Sequence, residues 1–439
     1  MKKKILVVFL ATMIIAGLTA CGEKDGSSAT NSGSAVDQES TDSNEDGADE
    51  ESAKTSSSEE PVTFQFVQAQ PEYQTAAQKL IQTYMEEHPN VTIELITNND
   101  NLKTDLQVGN IPEIFYTEGY GNLKEYTDYI TDLSDQDWVE NILDNSLDAV
   151  TMDGKVYGFP TTLAGEGIVY NKKLFKEKGW EVPLTFSELQ ALCDEMVAAG
   201  ITPFVNEFGD DWLLGQLLSG GGYTYIPDTQ EFTDKLYAGE VTFADNEQMK
   251  GLFNVIDLML SYGLPDSLSY SWNETCSAFA TGQAAMTFEG DWIWSTVEPI
   301  DPEIECGMFP VPVSDNPDEA KLLVDTNMVL HIGKGSKEPE AAKEFLNWMA
   351  TSDTAREVLL QDYQFVPCFE GWEYEGTNQL AASTKEYMSS GKASLWWWQK
   401  WPDGFRANAG QELQKYISGD ATADETLKAI DVLWGNMAN

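Results

Sequence analysis

The chain has 439 residues, of which 42% are hydrophobic, and its formal net charge is −47. This length is enough to bury a large core and to form two lobes. A negative field of this size repels nucleic acids and anionic membrane surfaces and disfavours anionic ligands, so neutral or cationic partners remain.

The first twenty residues have the pattern of an export signal. Lysines at positions 2–4 precede an uncharged, mostly apolar run at 5–17, which is too short for a stable membrane span. Residues 18–21, Leu-Thr-Ala-Cys, resemble the bacterial lipobox, which implies cleavage before Cys21 and a lipid on its thiol. Diacylglycerol has two acyl chains, the number that stable anchoring requires. The alternative is an ordinary signal peptide with a coincidental cysteine.

Residues 22–60 are rich in Ser, Asp, Glu and Gly and contain almost nothing apolar. Such a segment buries too little surface to offset its ordering entropy, so together with Cys21 we predict a lipidated, disordered acidic tether over 21–60. Asp42 to Gly47 match the first half of an EF-hand loop, but Ala53 stands where the closing glutamate belongs. No calcium site is predicted.

The remaining cysteines are Cys193, Cys276, Cys306 and Cys368. They lie far apart and have no C-x-x-C spacing, so neither a zinc site nor an iron–sulfur cluster is predicted. We expect no metal and no cofactor. A disulfide is compatible with an exported protein, but the spacing does not indicate a pairing.

At the start of the body of the chain, the spacing of apolar residues changes from that of a strand to that of a helix and back. Apolar residues alternate at 62–66, repeat at helical spacing over 77–85, and alternate again at 91–95. This is a βαβ unit, which predicts two parallel strands with a crossover helix. Thr185 and Glu188 form a capping box that starts a later helix, and Pro339 is placed to begin another. The body therefore reads as α/β.

Several segments, taken together and in this order, resemble family 1 extracellular solute-binding proteins, the maltose-binding-protein-like class. They are 87–93, 153–160 with 169–175, 182–189, 279–286 with 290–292, and 337–346. The resemblance implies a type II periplasmic-binding-protein-like fold, with two discontinuous α/β lobes joined by hinge strands. A ligand would be trapped between the lobes by closure, and an importer of the ABC type would recognise the closed state.

The resemblance also suggests how the lobes divide the chain. Residues 1–20 are the signal peptide, and 61–163 form lobe 1. Lobe 2 follows at 164–288, and 289–330 return to lobe 1. Residues 331–439 are expected to be mainly lobe 2 helices that close over the cleft.

Carbohydrate recognition requires aromatic faces for the sugar ring and polar groups for its hydroxyl rim. The chain has 13 Trp and 17 Tyr, enough to supply such faces. Trp292 matches a family tryptophan at the cleft, and Asp291 beside it can accept hydroxyls. Trp397 is chosen from the group 396–398 with Trp401, because four tryptophans between turn signals suggest a contact surface.

Four further positions are candidates for ligand contact. Glu166 lies between two glycines, where a carboxylate is expected to be exposed. Trp212 follows two aspartates, and Glu118 precedes a glycine. Tyr73 lies in the loop after the first strand, where open α/β sheets bind ligands. A structural role is the alternative at each.

Local motifs for catalysis are missing from the sequence. It has two histidines, His88 and His331, and neither a G-x-S-x-G nor a P-loop motif. The sequence therefore predicts a receptor and not an enzyme. It would capture a carbohydrate, specifically an oligosaccharide, and deliver it to ABC permease subunits.

We expect this receptor to be a monomer, lipid-anchored on the extracellular face of the bacterial cytoplasmic membrane. One alternative is a polyamine or peptide receptor of the same fold. The second is a secreted glycoside-active enzyme that uses a carboxylate pair.

Overall fold

A computed structural model describes residues 60–374 and 376–438. The predicted signal peptide, the predicted lipidation site at Cys21 and the predicted tether up to residue 59 lie outside the described residues. Within the described ranges, every helix is too short or too polar to cross a bilayer.

Ten strands are found in this part of the chain. They are β1 (Val62–Val67), β2 (Val91–Ile96), β3 (Ile114–Thr117), β4 (Thr151–Met152), β5 (Lys155–Val156), β6 (Phe159–Asn171), β7 (Met286–Gly290), β8 (Cys306–Phe309), β9 (Leu322–Ile332) and β10 (Ala393–Ser394).

Helices connect and cover these strands. They are α1 (Gln74–Glu87), α2 (Leu102–Gln107), α3 (Gly121–Tyr126), α4 (Asp144–Val150), α5 (Lys172–Lys178), α6 (Phe186–Ala198), α7 (Asp211–Gly220), α8 (Thr229–Tyr237), α9 (Glu247–Ser261), α10 (Trp272–Ala280), α11 (Trp294–Val297), α12 (Pro339–Thr351), α13 (Asp353–Gln361), α14 (Gln379–Ser389), α15 (Phe405–Ser418) and α16 (Ala423–Met437). Short 3-10 turns include Asp291–Ile293 and Trp397–Lys400.

The opening βαβ unit is confirmed. β1 and β2 pair in parallel, with Val62 opposite Val91. Between them α1 buries Ala77, Leu80 and Ile81, which share one face at helical spacing. The capping box at Thr185 and the proline start of α12 are also present as predicted.

The main sheet is mixed and is organised by two long strands. Its order is β2-β1-β3-β9-β6-β7, with β10 beside β9 and β8 beside β6. The first part of β6, from Phe159 to Glu166, runs antiparallel to β9. Its second part pairs with β7 and β8 instead. β6 therefore passes from one half of the sheet to the other, and it contributes residues to two different core clusters.

The first core cluster surrounds β1, β2 and α1, and the second surrounds α6, α7, α9, α15 and α16. The sequence-based boundaries assign 331–439 mainly to lobe 2. In the structure α12 and α13 pack in the first cluster, because the Phe345 ring contacts Phe64 and Tyr84 at centroid distances of 6.1 and 4.9 Å. Of the helices after residue 331, only α15 and α16, with the segment before them, belong to the second cluster. Core membership thus favours a return to lobe 2 near residue 395.

The four described cysteines are buried and free. Cys193 lies in the second cluster, whereas Cys276, Cys306 and Cys368 lie in the first. The described part of the chain is therefore held together by packing and hydrogen bonds without a disulfide.

Candidate functional site

A cavity of about 410 Å³ lies where residues from both core clusters meet. This volume is within the usual range for small-molecule sites. Its lining combines five tryptophans with polar side chains: Gln70, Pro71, Glu72, Glu118, Trp212, Gln216, Trp272, Trp292, Asn327, Trp396, Trp398 and Arg406.

Four of the five tryptophans form a connected aromatic wall, and Trp272 lines the cavity beside them. The Trp292 ring lies 6.4 Å from that of Trp212 and meets Trp396 edge-on at 5.8 Å, between centroids. Trp396 and Trp398 stack at 5.3 Å. Trp212 and Trp272 are only half-buried, so they present the more accessible faces. Aromatic faces in such a wall suit the C–H face of a neutral, saturated ring.

Arg406 is the cation of the cavity. Its guanidinium lies 4.1 Å from the Trp398 ring centre and donates to Glu118 Oε1 at 2.8 Å. The planar guanidinium is suited to stacking and hydrogen bonding at the same time. Glu118 follows β3, whereas Arg406 is on α15, so this ion pair joins residues that belong to different halves of the molecule.

Helix packing brings Arg406 next to Gln216. At Gly410 an added Cβ would collide with the backbone of Asp211, so α15 and α7 approach closely there. The Gln216 amide then accepts from Arg406 at 3.2 Å and donates to Glu166 Oε1 at 3.1 Å, in the orientation that satisfies both partners. Glu166 is thereby linked to the cavity through Gln216.

The expectation that Glu166 is exposed is wrong, because its exposed fraction is 1%. The glycines on either side do not open the strand to solvent. Gly165 accommodates Thr384 and Met308, and Gly167 accommodates the backbone of Phe309. Burial and the nearby Glu289 raise the pKa of Glu166 well above its usual range, and Arg406 opposes this rise. Burial in this place therefore favours the neutral form of the carboxyl.

Asp291 is also buried and lies behind the cavity wall. Its Oδ2 accepts from Gly165 N at 2.9 Å and from the Thr384 hydroxyl at 2.8 Å. Burial raises the pKa of Asp291 to about 7, although these hydrogen bonds oppose the rise. The side chain thus ties β6 to α14 and anchors the 3-10 turn that carries Trp292.

Of the residues predicted from sequence, Trp292, Trp212 and Glu118 line the 410 Å³ cavity. Tyr73 and Asp291 lie instead at a much smaller cavity of about 30 Å³. Trp397 does not line the cavity, since its ring packs 6.3 Å from Tyr223 and lies under the Lys400 ammonium at 4.8 Å.

Trp396 and Trp398, from the tryptophan group in which Trp397 was chosen, line the cavity in its place. The lining residues that sequence reasoning missed are Gln70, Pro71, Glu72, Gln216, Trp272, Asn327 and Arg406. Residues 70–72 lie in the same loop as Tyr73, so the prediction of a ligand-binding loop after the first strand identified the loop correctly but not the residues that line the cavity. Arg406 and Gln216 carry no local signal, because their meeting depends on how α15 packs on α7.

A second cavity of about 420 Å³ shares Glu118, Trp398 and Arg406 with the first. The Glu118–Arg406 pair therefore lies between the two spaces. Among the described residues no group of three His, Cys, Asp or Glu side chains is placed to hold a metal ion.

Solved structures with a similar architecture identify the fold of this chain. RafE in complex with raffinose matches with a TM-score of 0.74 at 20% identity, covering 86% of this chain and all (100%) of that one. A sugar transporter from Bacillus licheniformis in complex with stachyose matches with a TM-score of 0.73 at 18% identity, covering 85% and 100%. The two-lobed type II periplasmic-binding fold predicted from sequence is confirmed.

Proteins with similar sequences are also sugar-binding proteins. A multiple sugar-binding protein of Streptococcus mutans is 23% identical over 397 residues, which cover 84% of this chain and 90% of that protein. The melibiose/raffinose/stachyose-binding protein MelE of Bacillus subtilis is 23% identical over 302 residues, covering 64% and 68%. The family model described as bacterial extracellular solute-binding protein matches residues 69–356. This chain therefore belongs to the family of bacterial extracellular solute-binding proteins.

Proposed function

We propose that this protein is the carbohydrate receptor of an ABC importer, and that its ligand is a neutral oligosaccharide held in the 410 Å³ cavity. The observation that carries the proposal is the lining of five tryptophans beside hydrogen-bonding side chains. The relatives named for melibiose, raffinose and stachyose, and the solved structures with raffinose and stachyose, support a sugar of this class.

The polar groups suit a hydroxyl rim. Glu72 and Glu118 can accept hydrogen bonds, Arg406 can donate, and the amides of Gln70 and Asn327 can do both. Because Arg406 offsets the charge of Glu118, the net negative charge of the cavity lining is small compared with that of the whole protein. This favours a neutral ligand over a polyamine. The second cavity supplies space for a ligand longer than one sugar unit.

We also propose that the protein does not turn its ligand over. A glycosidase needs two carboxyl groups that flank the scissile bond. Glu166, Glu289 and Asp291 are buried behind the cavity wall. Of the two glutamates that line the cavity, Glu118 is held by Arg406, so Glu72 has no free partner carboxylate there. These positions favour binding over hydrolysis.

A thermal-shift and calorimetry screen tests both proposals. A lipid-free form of the protein that begins at residue 22, after the proposed lipidation site, would be mixed with raffinose, stachyose, maltotriose and sucrose, and with spermidine and a tripeptide as comparison ligands. A ligand at 100 times its Kd should stabilise the protein by about 2.7 kcal/mol. We expect stabilisation by neutral glycans, and intact glycan by chromatography after overnight incubation. Stabilisation by spermidine alone would refute the carbohydrate proposal, and loss of intact glycan would refute the receptor proposal.

We propose that the protein acts as a monomer, anchored through a lipid on Cys21 at the extracellular face of the membrane. The lipobox-like residues 18–21 and the acidic composition of 22–60 support the anchor. Cys21→Ala should abolish incorporation of a radiolabelled fatty acid and move the protein from the detergent phase to the aqueous phase. Cys306→Ala, at a buried cysteine, is the matched control and should leave labelling unchanged. Equal labelling of the Cys21 variant would contradict the anchor.

A further inference from the structure

One edge of β9 has a gap in its strand pairing beside the ligand cavity. β6 pairs along one edge of β9, from Leu323 to Leu330. On the opposite edge, β10 pairs with residues 322–323 and β3 pairs with residues 329–332. Within the described part of the chain, no strand therefore lies beside 324–328 on that edge, although Asn327 in this stretch lines the 410 Å³ cavity.

Two strands end at this gap. β3 is antiparallel to β9 and β10 is parallel to it, so both run towards 324–328 from opposite ends. Open α/β sheets bind ligands in the crevice at the carboxyl ends of strands whose following segments diverge. The segments that follow here are 118–123 after β3 and 395–401 after β10. They carry Glu118 and Trp396, and both of these side chains line the cavity.

The side chain of Asp325 fills the gap, and its exposed fraction is 0%. Its Oδ2 accepts from Trp396 N at 3.1 Å. Its Oδ1 accepts from the Tyr120 hydroxyl at 3.1 Å and from Thr326 N at 2.8 Å. Gln399 Nε2 donates to Thr326 O at 2.8 Å. Side chains therefore supply the hydrogen bonds that a neighbouring strand would make at this place.

We propose that Asp325 is a positioning residue for the ligand. Its single buried carboxylate holds both segments that leave the sheet at the gap, and it thereby places Glu118 and Trp396 at the cavity. The role in ligand binding rests on the proposed function. The hold on the two segments does not, and it can be measured on the protein without ligand.

The conformation of Tyr120 supports this role. Its φ is 39°, in the left-handed region that residues other than glycine rarely adopt. Such strain persists only where surrounding contacts over-determine it. Here the contacts are the hydroxyl bond to Asp325, the backbone bond from Tyr120 N to Ala149 O at 2.9 Å, and the Lys400 ammonium 5.3 Å from the ring centre. Because Lys400 lies in the 395–401 segment, the last contact also joins the two segments.

A carboxylate suits this position because both of its oxygens accept and neither donates. Burial raises the pKa of Asp325 to about 6, and the N–H groups of Thr326 and Trp396, the Tyr120 hydroxyl and the Lys400 ammonium oppose the rise. An asparagine has an NH₂ group in place of one oxygen, so it would set a donor against one of the two backbone N–H groups. Asp325→Asn therefore breaks the hold without changing the size of the side chain.

Hydrogen exchange of the ligand-free protein, followed by mass spectrometry, tests the hold on the two segments. Asp325→Asn should speed exchange about tenfold in peptides from both the 118–123 and the 395–401 segments, because their amides exchange when the segments detach. Tyr120→Phe removes only the hydroxyl, so it should speed exchange mainly in the 118–123 segment.

Asp431 provides a matched control for Asp325. It too accepts from two backbone N–H groups, those of Phe243 at 2.6 Å and Ala244 at 3.2 Å, but it lies on α16 away from the cavity. Asp431→Asn should speed exchange around residues 243–244 and leave both segments at the gap as in the wild type. The two Asn variants should lose similar amounts of stability, since each leaves a backbone donor unpaired.

Raffinose affinity, measured by calorimetry, tests the role in binding. Loosened segments spend time away from the arrangement that receives the ligand, and the apparent affinity falls by that fraction. We expect losses of about tenfold in Asp325→Asn and about threefold in Tyr120→Phe. Asp431→Asn should bind as the wild type does. So should Tyr416→Phe, which removes a similar hydroxyl bond, to Asp257 at 2.7 Å between α15 and α9.

A double-mutant cycle separates positioning from general destabilisation. If Asp325 acts through Trp396, Asp325→Asn should cost less affinity in Trp396→Ala than in the wild type. Fully additive losses, or wild-type affinity in Asp325→Asn, would overturn the role in binding. Wild-type exchange of the 395–401 segment in Asp325→Asn would overturn the hold itself. If raffinose does not bind to the wild type, the proposed ligand is wrong, and the exchange rates alone decide whether Asp325 holds both segments.

Discussion

Replacing Trp292 with alanine is expected to weaken ligand binding strongly. Its ring lies at the centre of the aromatic wall, in contact with both Trp212 and Trp396. Removing a central aromatic anchor of a binding site costs about 2 to 4 kcal/mol, which corresponds to a loss of affinity of about 30-fold to 1,000-fold. Calorimetry with the best glycan of the screen measures this directly.

The substitution also removes a buried ring, so its effect on stability must be separated from its effect on binding. Trp348 provides a matched control, because its exposed fraction is 8% against 9% for Trp292, and it lies far from the cavity on α12. Each Trp→Ala change should lower the free energy of unfolding by about 3 to 5 kcal/mol. Only Trp292→Ala should weaken binding. Equal losses of affinity in the two variants would mean that Trp292 acts through folding alone.

Arg406→Ala is the second substitution with a large expected effect. It removes the guanidinium stacked on Trp398, the ion pair with Glu118 and the donor to Gln216. A hydrogen bond to a charged group is worth about 1.5 to 3 kcal/mol, so affinity should fall about 10-fold to 100-fold. Arg406→Lys should recover only part of this loss, because an ammonium cannot stack and bridge in the same way.

The chain contains a control for this change as well. Arg356 lies over the Trp372 ring at 4.8 Å, but on α13 and away from the cavity. Arg356→Ala removes the same kind of cation–π contact and should leave affinity unchanged. Small-angle scattering with and without ligand would show whether Arg406→Ala reduces compaction on binding. Unchanged affinity in Arg406→Ala would remove the Glu118–Arg406 pair from the proposed site.

The fold could be predicted from the sequence because the patterns that indicate it are local. The alternating strands at 62–66 and 91–95 and the helical stripe between them specify a βαβ unit without reference to the rest of the chain. The lobe boundaries after residue 331 were harder to predict, because α12 and α13 are amphipathic and could cover either lobe. Which one they cover depends on partners such as Phe64 and Tyr84 that are distant in sequence.

Only part of the site could be predicted from the sequence, and two examples show why. The group 396–398 was identified as a surface of interest, but a 3-10 turn begins at Trp397, and its neighbours on both sides line the cavity. The direction of each ring in such a turn depends on the backbone, which composition does not reveal. The flanking glycines of Glu166 suggested exposure, whereas in the centre of a sheet they admit Thr384 and Phe309.

The four buried thiols offer a way to follow the motion of each half of the molecule. A thiol enclosed in a core reacts with an alkylating reagent only when its surroundings open, at a rate set by the free energy of that opening. Cys193 lies in the second core cluster and Cys276, Cys306 and Cys368 in the first. Mass spectrometry of the alkylated peptides would therefore report the local opening of the two halves separately, using only the cysteines of the natural sequence. A ligand held as proposed, by residues from both halves, should protect both sets of thiols, whereas a ligand held by one half would protect only one.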